Sequence, residues 1–173
     1  MIIDVSDILN QGDTSKKFCG NINLDDISFQ GDSISFPEPL DISGYIKNTG
    51  ESLEMYAKIT GYMVLPCSRC SLLHKRPIDM PLNLRFKRNG EPIDSEDLDV
   101  FVYTNKQIKL DDIALEYILL DLPIKRLCND ECKGICPHCG INLNEHECDC
   151  VKEDIDIRME ALRGFFADKD KEV

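Results

Sequence analysis

Tryptophan is absent from this 173-residue chain, and aromatic residues make up only 7% of it. Its core is therefore expected to be aliphatic. No run of residues approaches the roughly 20 apolar positions of a membrane span. The N-terminal MIIDVSD carries acids where a secretory signal would carry basic residues, so secretion is not expected and the cytoplasm is the default compartment. Basic residues are also scarce, 20 against 32 acids, for a net charge of −12. Broad, non-specific binding to phosphate backbones is excluded by that balance unless a basic face is presented locally. Histidines number three and none precedes Cys67, which rules out the H-x-E half of a zinc deaminase, whose P-C-x-x-C half PCSRC resembles.

What the chain has in excess is cysteine. Six of its nine cysteines fall in CNDECKGICPHCGINLNEHECDC, residues 128–150, and Cys67 and Cys70 form a further C-x-x-C. In a reducing compartment such clustering signals metal or redox chemistry rather than disulfides. A pair two residues apart lets both sulfurs face one ion at about 2.3 Å, and the Pro137 and Gly140 of C-P-H-C-G suit the tight turn this requires. Cys136, Cys139, Cys148 and Cys150 make one four-thiolate set. Cys67 and Cys70 need two partners: the favoured partition takes Cys128 and Cys132, and the competing one takes Cys136 and Cys139. Eight cysteines suffice for two ions, with Cys19 left over, whereas the competing partition would strand the outer cysteines. Zinc is the expected ion, since structural four-thiolate sites are usually zinc; an iron–sulfur cluster is the alternative, although no ferredoxin-type spacing occurs. His138 and His146 are expected beside the ligands or facing solvent, not as ligands. A thioredoxin-like role for Cys67 and Cys70 would want the pair opening a helix after a strand, and here it joins two strands.

The fold expected is α+β: an antiparallel β-sheet domain over residues 1–110, then residues 111–173 holding a helix, a zinc-stapled cysteine module and a C-terminal helix, two helices in all. Residues 1–10 read as a short strand or a turn of helix, and residues 11–17 as a loop. SISFPEPLDISGYIKN and SLEMYAKITGYMVL alternate polar and apolar residues about the turn-forming Asn48-Thr49-Gly50. Extended patterning resumes from Leu72 to Phe86, which makes a three-stranded meander with Cys67 and Cys70 at its tip. Residues 89–99 read as an acidic loop. DVFVY and KQIKL are candidate short strands. Asp111 or Asp112 can cap a helix reaching Leu122, with Ile113, Tyr117 and Leu120 on one face. Asp154 or Asp156 can start the last helix, whose Ile155, Met159, Leu162 and Phe166 share a stripe.

One basic island interrupts the acidic chain. Residues 67–90 carry a net +5, from Arg69, Lys75, Arg76, Arg85, Lys87 and Arg88 against Asp79 alone. Two readings stand side by side. The cations offset the formal −2 of a tetrathiolate zinc, or they form an RNA-binding face.

L-P-C-S-R-C closing a strand, then L-P-x-K-x-L-C-x3-C-K-G-x-C-P-x-C-G-x-N-L-N ending in C-x-C, then D-x-R-x-x-A-L, resembles the large ribosomal RNA subunit accumulation protein family, YceD. The resemblance implies a non-catalytic bacterial ribosome biogenesis factor supporting processing or accumulation of large-subunit ribosomal RNA. Its partner would be the precursor RNA or a basic ribosomal protein. It also implies metal ligation by Cys67, Cys70, Cys128, Cys132, Cys136, Cys139, Cys148 and Cys150. A metal-dependent RNA-processing enzyme is the competing class, disfavoured because sites saturated with thiolates leave no open coordination position.

Overall fold

The structure, a computed structural model, describes residues 1–10, 12–90 and 100–150. The chain divides into two compact units, Met1–Cys132 and Lys133–Val173. Among the described residues no helix is long and apolar enough to cross a membrane.

In the first unit β1 (Ile2–Asp4) and a single turn of helix, α1 (Ser6–Leu9), precede β2 (Ser15–Ile22). A small hairpin follows, β3 (Ile27–Phe29) with β4 (Asp32–Ile34), and then the three long strands β5 (Leu40–Asn48), β6 (Leu53–Pro66) and β7 (Leu73–Arg88). β8 (Val100–Tyr103), β9 (Gln107–Lys109) and α2 (Asp111–Leu120) complete it. The principal sheet has the order β2-β5-β6-β7-β8, while β1 pairs with β9 apart from it.

The period-two alternation expected of the meander is present and has a clear energetic meaning. Ile42 and Ile46 of β5, Leu53, Met55, Ile59, Met63 and Leu65 of β6, and Ile78, Met80, Leu82, Leu84 and Phe86 of β7 all turn to one face and are buried. Each such side chain contributes about 1.5–3 kcal/mol on leaving water. The face is covered by Ile3, Val5, Ile8, Ile108, Leu110, Ala114 and Ile118, which join it in one aliphatic core. The alternate residues of the same strands point away from that core. Register at the β5–β6 turn is secured by Asn48, whose side-chain nitrogen donates to the Ile8 carbonyl at 2.7 Å and whose Oδ1 accepts from Gly50 N–H at 2.9 Å.

Several expectations change. The sheet is mixed rather than antiparallel throughout, because β8 runs parallel to the end of β7, Arg85 opposite Val100 and Arg88 opposite Tyr103. Parallel neighbours need a crossover, not a tight turn, and alternation alone carries no information about strand direction. Before Arg85, β7 pairs only with β6 among the described residues, and Pro77 and Pro81 stand on that free edge, where a missing N–H costs no ladder bond. Residues 15–17, read as loop, begin β2, whose lysines hid the strand. Helix α2 stops at Leu120, and its N-cap is Leu110 without a side-chain cap bond. Asp111 serves instead as the partner of the N-terminal amine of Met1. The buried face of α2 runs through Ala114 and Ile118, with Ile113 and Tyr117 packed beside them, whereas Leu120 is 74% exposed. The C-terminal helix expected from Asp154 or Asp156, the rest of the acidic loop beyond Gly90, and the first residue of DVFVY, Asp99, lie outside the described residues.

Candidate metal centre

Two groups of four cysteines stand out, Cys67, Cys70, Cys128 and Cys132 in the first unit and Cys136, Cys139, Cys148 and Cys150 in the second. Within each group all four sulfurs lie within 4.8 Å of one another. Cys67 and Cys70 therefore sit with Cys128 and Cys132, and not with Cys136 and Cys139. Among the described residues no histidine or carboxylate joins either group, and His138 and His146 are exposed. Cys19 lies on β2, exposed and apart from both groups.

Each group is built on the same backbone turn. In the first, Cys67 N–H donates to the Leu72 carbonyl and Ser71 N–H to the Cys67 carbonyl, both at 2.9 Å. In the second, Cys136 N–H donates to the Ile141 carbonyl at 2.8 Å and Gly140 N–H to the Cys136 carbonyl at 2.9 Å. The fifth residue is left-handed in both, with φ +59° at Ser71 and +75° at Gly140. This turn folds the N–H groups inside the C-x-x-C toward the first sulfur. Arg69 N–H reaches Cys67 Sγ at 3.4 Å.

The electrostatics follow from that turn. Burial pushes the Cys67 thiol up, but backbone N–H groups of Arg69, Cys70 and Cys128 aimed at its sulfur outweigh burial and lower it to about 6. The N–H groups of Cys139 and His138 bring Cys136 down to about 6 in the same way. Cys128 and Cys150 move oppositely. Burial, then the neighbouring sulfurs of Cys132, Cys70 and Cys67, push Cys128 up to about 12. Cys150 rises to about 12 through the neighbouring sulfur of Cys139 first and burial second. The thiolate is thus favoured at Cys67 and at Cys136, and placing further thiolates beside it raises an electrostatic cost that a divalent cation removes.

The distances fit such a cation. Four sulfurs about 2.3 Å from a central ion in a tetrahedron are separated by about 3.8 Å along each edge. Cys67 Sγ to Cys132 Sγ is 3.7 Å, and so is Cys70 Sγ to Cys128 Sγ. A disulfide would need sulfurs about 2.05 Å apart, and all nine cysteines are free.

Polar contacts that sequence reasoning did not single out hold the second ligand pairs in place. Ser68 N–H donates to the Arg126 carbonyl at 2.7 Å, and Arg126 N–H returns to Ser68 Oγ at 3.2 Å. Arg126 Nη2 donates to Asp32 Oδ2 at 2.6 Å, linking this segment to β4. In the second unit Asn142 shapes the approach to Cys148, its Oδ1 accepting from Asn144 N–H at 3.1 Å and its carbonyl from His146 N–H at 3.0 Å. Lys133 N–H donates to Asn144 Oδ1 at 2.8 Å. The N-L-N run after the second knuckle was the available signal, since asparagine side chains build such turns.

The basic island is spread out. Arg69 Nη1 donates to the Cys132 carbonyl at 2.6 Å, which makes this guanidinium a brace between the first C-x-x-C and the second pair. Lys75 lies over the Tyr62 ring, 4.3 Å from its centroid. Arg76 sits one position along on the opposite face of β7 from Lys75. Arg85, Lys87 and Arg88 stand at the other end of the strand, about 30 Å away at some 3.3 Å per residue, and each has an interaction partner of its own.

Comparison with known proteins places this architecture. Over 146 residues the chain is 27% identical to a chloroplastic large ribosomal RNA subunit accumulation protein YCED homolog 1 of Arabidopsis thaliana, which covers 68% of this chain and 46% of that one. It is 25% identical over 158 residues to YlbN, an uncharacterized protein of Bacillus subtilis, with 91% of each covered. Identity is 24% over 106 residues to an uncharacterized protein, Rv2926c, of Mycobacterium tuberculosis, covering 60% of this chain and 51% of that one. The chain thus spans about half the length of the plant and mycobacterial relatives. No solved structure matches it. Residues 55–166, from β6 through both cysteine groups, match the family described as large ribosomal RNA subunit accumulation protein YceD, and the chain belongs to that family.

Proposed function

We propose that this protein is a non-catalytic ribosome biogenesis factor that supports accumulation of large-subunit ribosomal RNA, and that each cysteine group holds one structural zinc ion. The observation that carries the metal assignment is the 3.7 Å spacing of paired sulfurs in the first group. Zinc binds four thiolates tetrahedrally without redox chemistry, and such closed sites serve folding. A cluster of several irons seats its thiolates on different irons and spreads them farther apart than one ion does. The two sites tie Cys128 and Cys132 to the β6–β7 turn in the first unit and close the short segment 133–150 in the second. A segment that small has little core of its own, so metal binding supplies its folding free energy.

The non-catalytic reading rests on coordination chemistry. Four protein thiolates leave no position for water or substrate, which removes hydroxide generation and Lewis-acid activation from the metal's repertoire. The family name supplies the biological direction: a role in large-subunit ribosomal RNA accumulation, carried out in the compartment where ribosomes assemble and thiols stay reduced. The test compares cells with and without the protein. Its loss should lower large-subunit ribosomal RNA relative to small-subunit RNA, and the native chain should restore the ratio. Purified zinc-loaded protein should leave precursor RNA uncut. An unchanged ratio removes the ribosomal reading, and cleavage by the pure protein removes the non-catalytic one.

A further inference from the structure

The face of the principal sheet that points away from the core carries a stacked aromatic pair. Tyr45 of β5 and Tyr56 of β6 are opposite each other in register, their ring centroids 5.2 Å apart and their planes 23° from parallel. They are 42% and 40% exposed, so the stack is open to solvent. Lys17 of β2 is level with Tyr45 on one side, and Asn83 of β7 is level with Tyr56 on the other, giving one row across four strands. The next row along holds Lys47, Glu54 and Arg85, and the row on the opposite side holds Ser43, Lys58 and Pro81.

The charge of this patch runs against that of the molecule. The chain carries −12, yet four cations, Lys17, Lys47, Lys58 and Arg85, surround the stack within these rows, with Glu54 as the one carboxylate among them. Glu54 accepts from Tyr56 Oη–H at 3.1 Å, which orients the ring. Lys47 pairs with Asp13 and Lys58 with Asp79, each at 2.7 Å. Both aspartates are well exposed, and ion pairs of that kind are worth so little that the lysines re-pair readily with a phosphate. Cross-strand tyrosines also stabilise sheets by themselves. That role needs neither solvent-open rings nor a cationic border on an acidic protein.

We infer that this face is a stacking platform for a single-stranded stretch of RNA, in which bases extend the Tyr45–Tyr56 stack while Lys17, Lys47, Lys58 and Arg85 meet the backbone. Unpaired bases stack on aromatic side chains displayed on open sheets, whereas paired bases in an A-form helix are inaccessible to such contacts. The acidic remainder of the chain repels RNA and confines it to this patch. The inference rests on the ribosomal-RNA reading and names the surface that would serve it.

The experiment titrates full-length zinc-loaded protein with a single-stranded RNA oligonucleotide and, separately, with its duplex. Anisotropy of labelled RNA reports binding. Emission of the five tyrosines, unobscured because tryptophan is absent, reports stacking directly. Native protein should bind the single strand and lose tyrosine emission, while the duplex binds at least roughly tenfold more weakly. Tyr45→Leu with Tyr56→Leu should weaken single-strand binding by about tenfold or more, and Tyr45→Phe with Tyr56→Phe should hold it within about threefold. Native-like affinity in the leucine variant, equal affinity for the duplex, or no binding by the native chain each overturns the inference. If the leucine variant does not fold, Lys17→Glu with Lys58→Glu decides: lost binding upholds the platform and unchanged binding overturns it. The ribosomal reading is scored apart, by the RNA ratio in cells lacking the protein, and survives a failure here if that ratio still falls.

Discussion

Ser71 occupies in the first knuckle the left-handed backbone position that Gly140 occupies in the second, with φ +59° against +75° and the same N–H bond back to the first cysteine of each turn. A side chain in that region costs roughly 1–2 kcal/mol, which glycine avoids. Glycine returns part of that gain by freeing the unfolded chain, about 0.4–1 kcal/mol. Ser71→Gly should therefore stabilise the first unit by up to about 1 kcal/mol, and Gly140→Ala should weaken the second group by a similar amount. Chelator-competition titrations of the two variants check this; weaker metal retention in Ser71→Gly would contradict it.

Gly44 is paired with Ala57, one position along from the tyrosine pair and on the opposite face of the sheet, and a Cβ there would collide with the Tyr56 carbonyl oxygen. Backbone cannot swing aside as a long side chain can, so Gly44→Ala must part β5 from β6. Loss of about 1–3 kcal/mol is expected, the usual scale of forced overpacking. Denaturant unfolding of the zinc-loaded protein measures it, and an unchanged midpoint would contradict the close approach.

Arg69 was a candidate RNA contact by charge alone, but its bond to the Cys132 carbonyl makes it a support of the first cysteine group. Groups that orient ligands from behind typically affect metal affinity 10- to 100-fold. Arg69→Ala should lower the affinity of the first group by about that factor and leave the second group unaffected. Site-resolved metal competition in Cys148→Ser, which retains only the first group intact, separates the two. Equal affinity with and without Arg69 would return it to the RNA candidates.

Acid should empty both groups. Cys67 and Cys136, lowered to about 6, are thiolates at neutral pH, whereas Cys128 and Cys150, pushed up to about 12, must shed protons to bind metal. A thiol held below its unfolded value of about 8.5 stabilises the fold above that pH, and its contribution disappears as pH falls through about 6. Metal release should accordingly grow as pH drops below neutrality, with the midpoint moving to lower pH when free zinc is raised. A release curve indifferent to zinc concentration would show that protons unfold the chain without competing for ligands.

The two cysteine groups and the β5–β6–β7 meander were legible because their signals are local: spacing for the ligands and alternation for the strands. Cys128 and Cys132 could be matched to Cys67 and Cys70 only as the remaining pair, since nothing in a sequence reports that residues 58 to 65 positions apart meet. The parallel placement of β8 was illegible for the same reason. Strand β2 was missed because Lys16 and Lys17 break its apolar pattern on a sheet edge. Asp111 looked like a helix cap until the N-terminal amine claimed it. The tyrosine pair could not be read from spacing, because Tyr45 and Tyr56 become neighbours only once the register across the Asn48–Leu53 turn is known.

Metal counting with visible spectroscopy on three proteins bears most directly on the central claim of two independent structural zinc sites. The native chain should carry two zinc ions and no visible absorption. Cys132→Ser and Cys148→Ser should each retain one, Cys132→Ser through the Cys136 group and Cys148→Ser through the Cys67 group. Iron with broad visible absorption, a single ion in the native protein, or loss of both ions from either variant would contradict it.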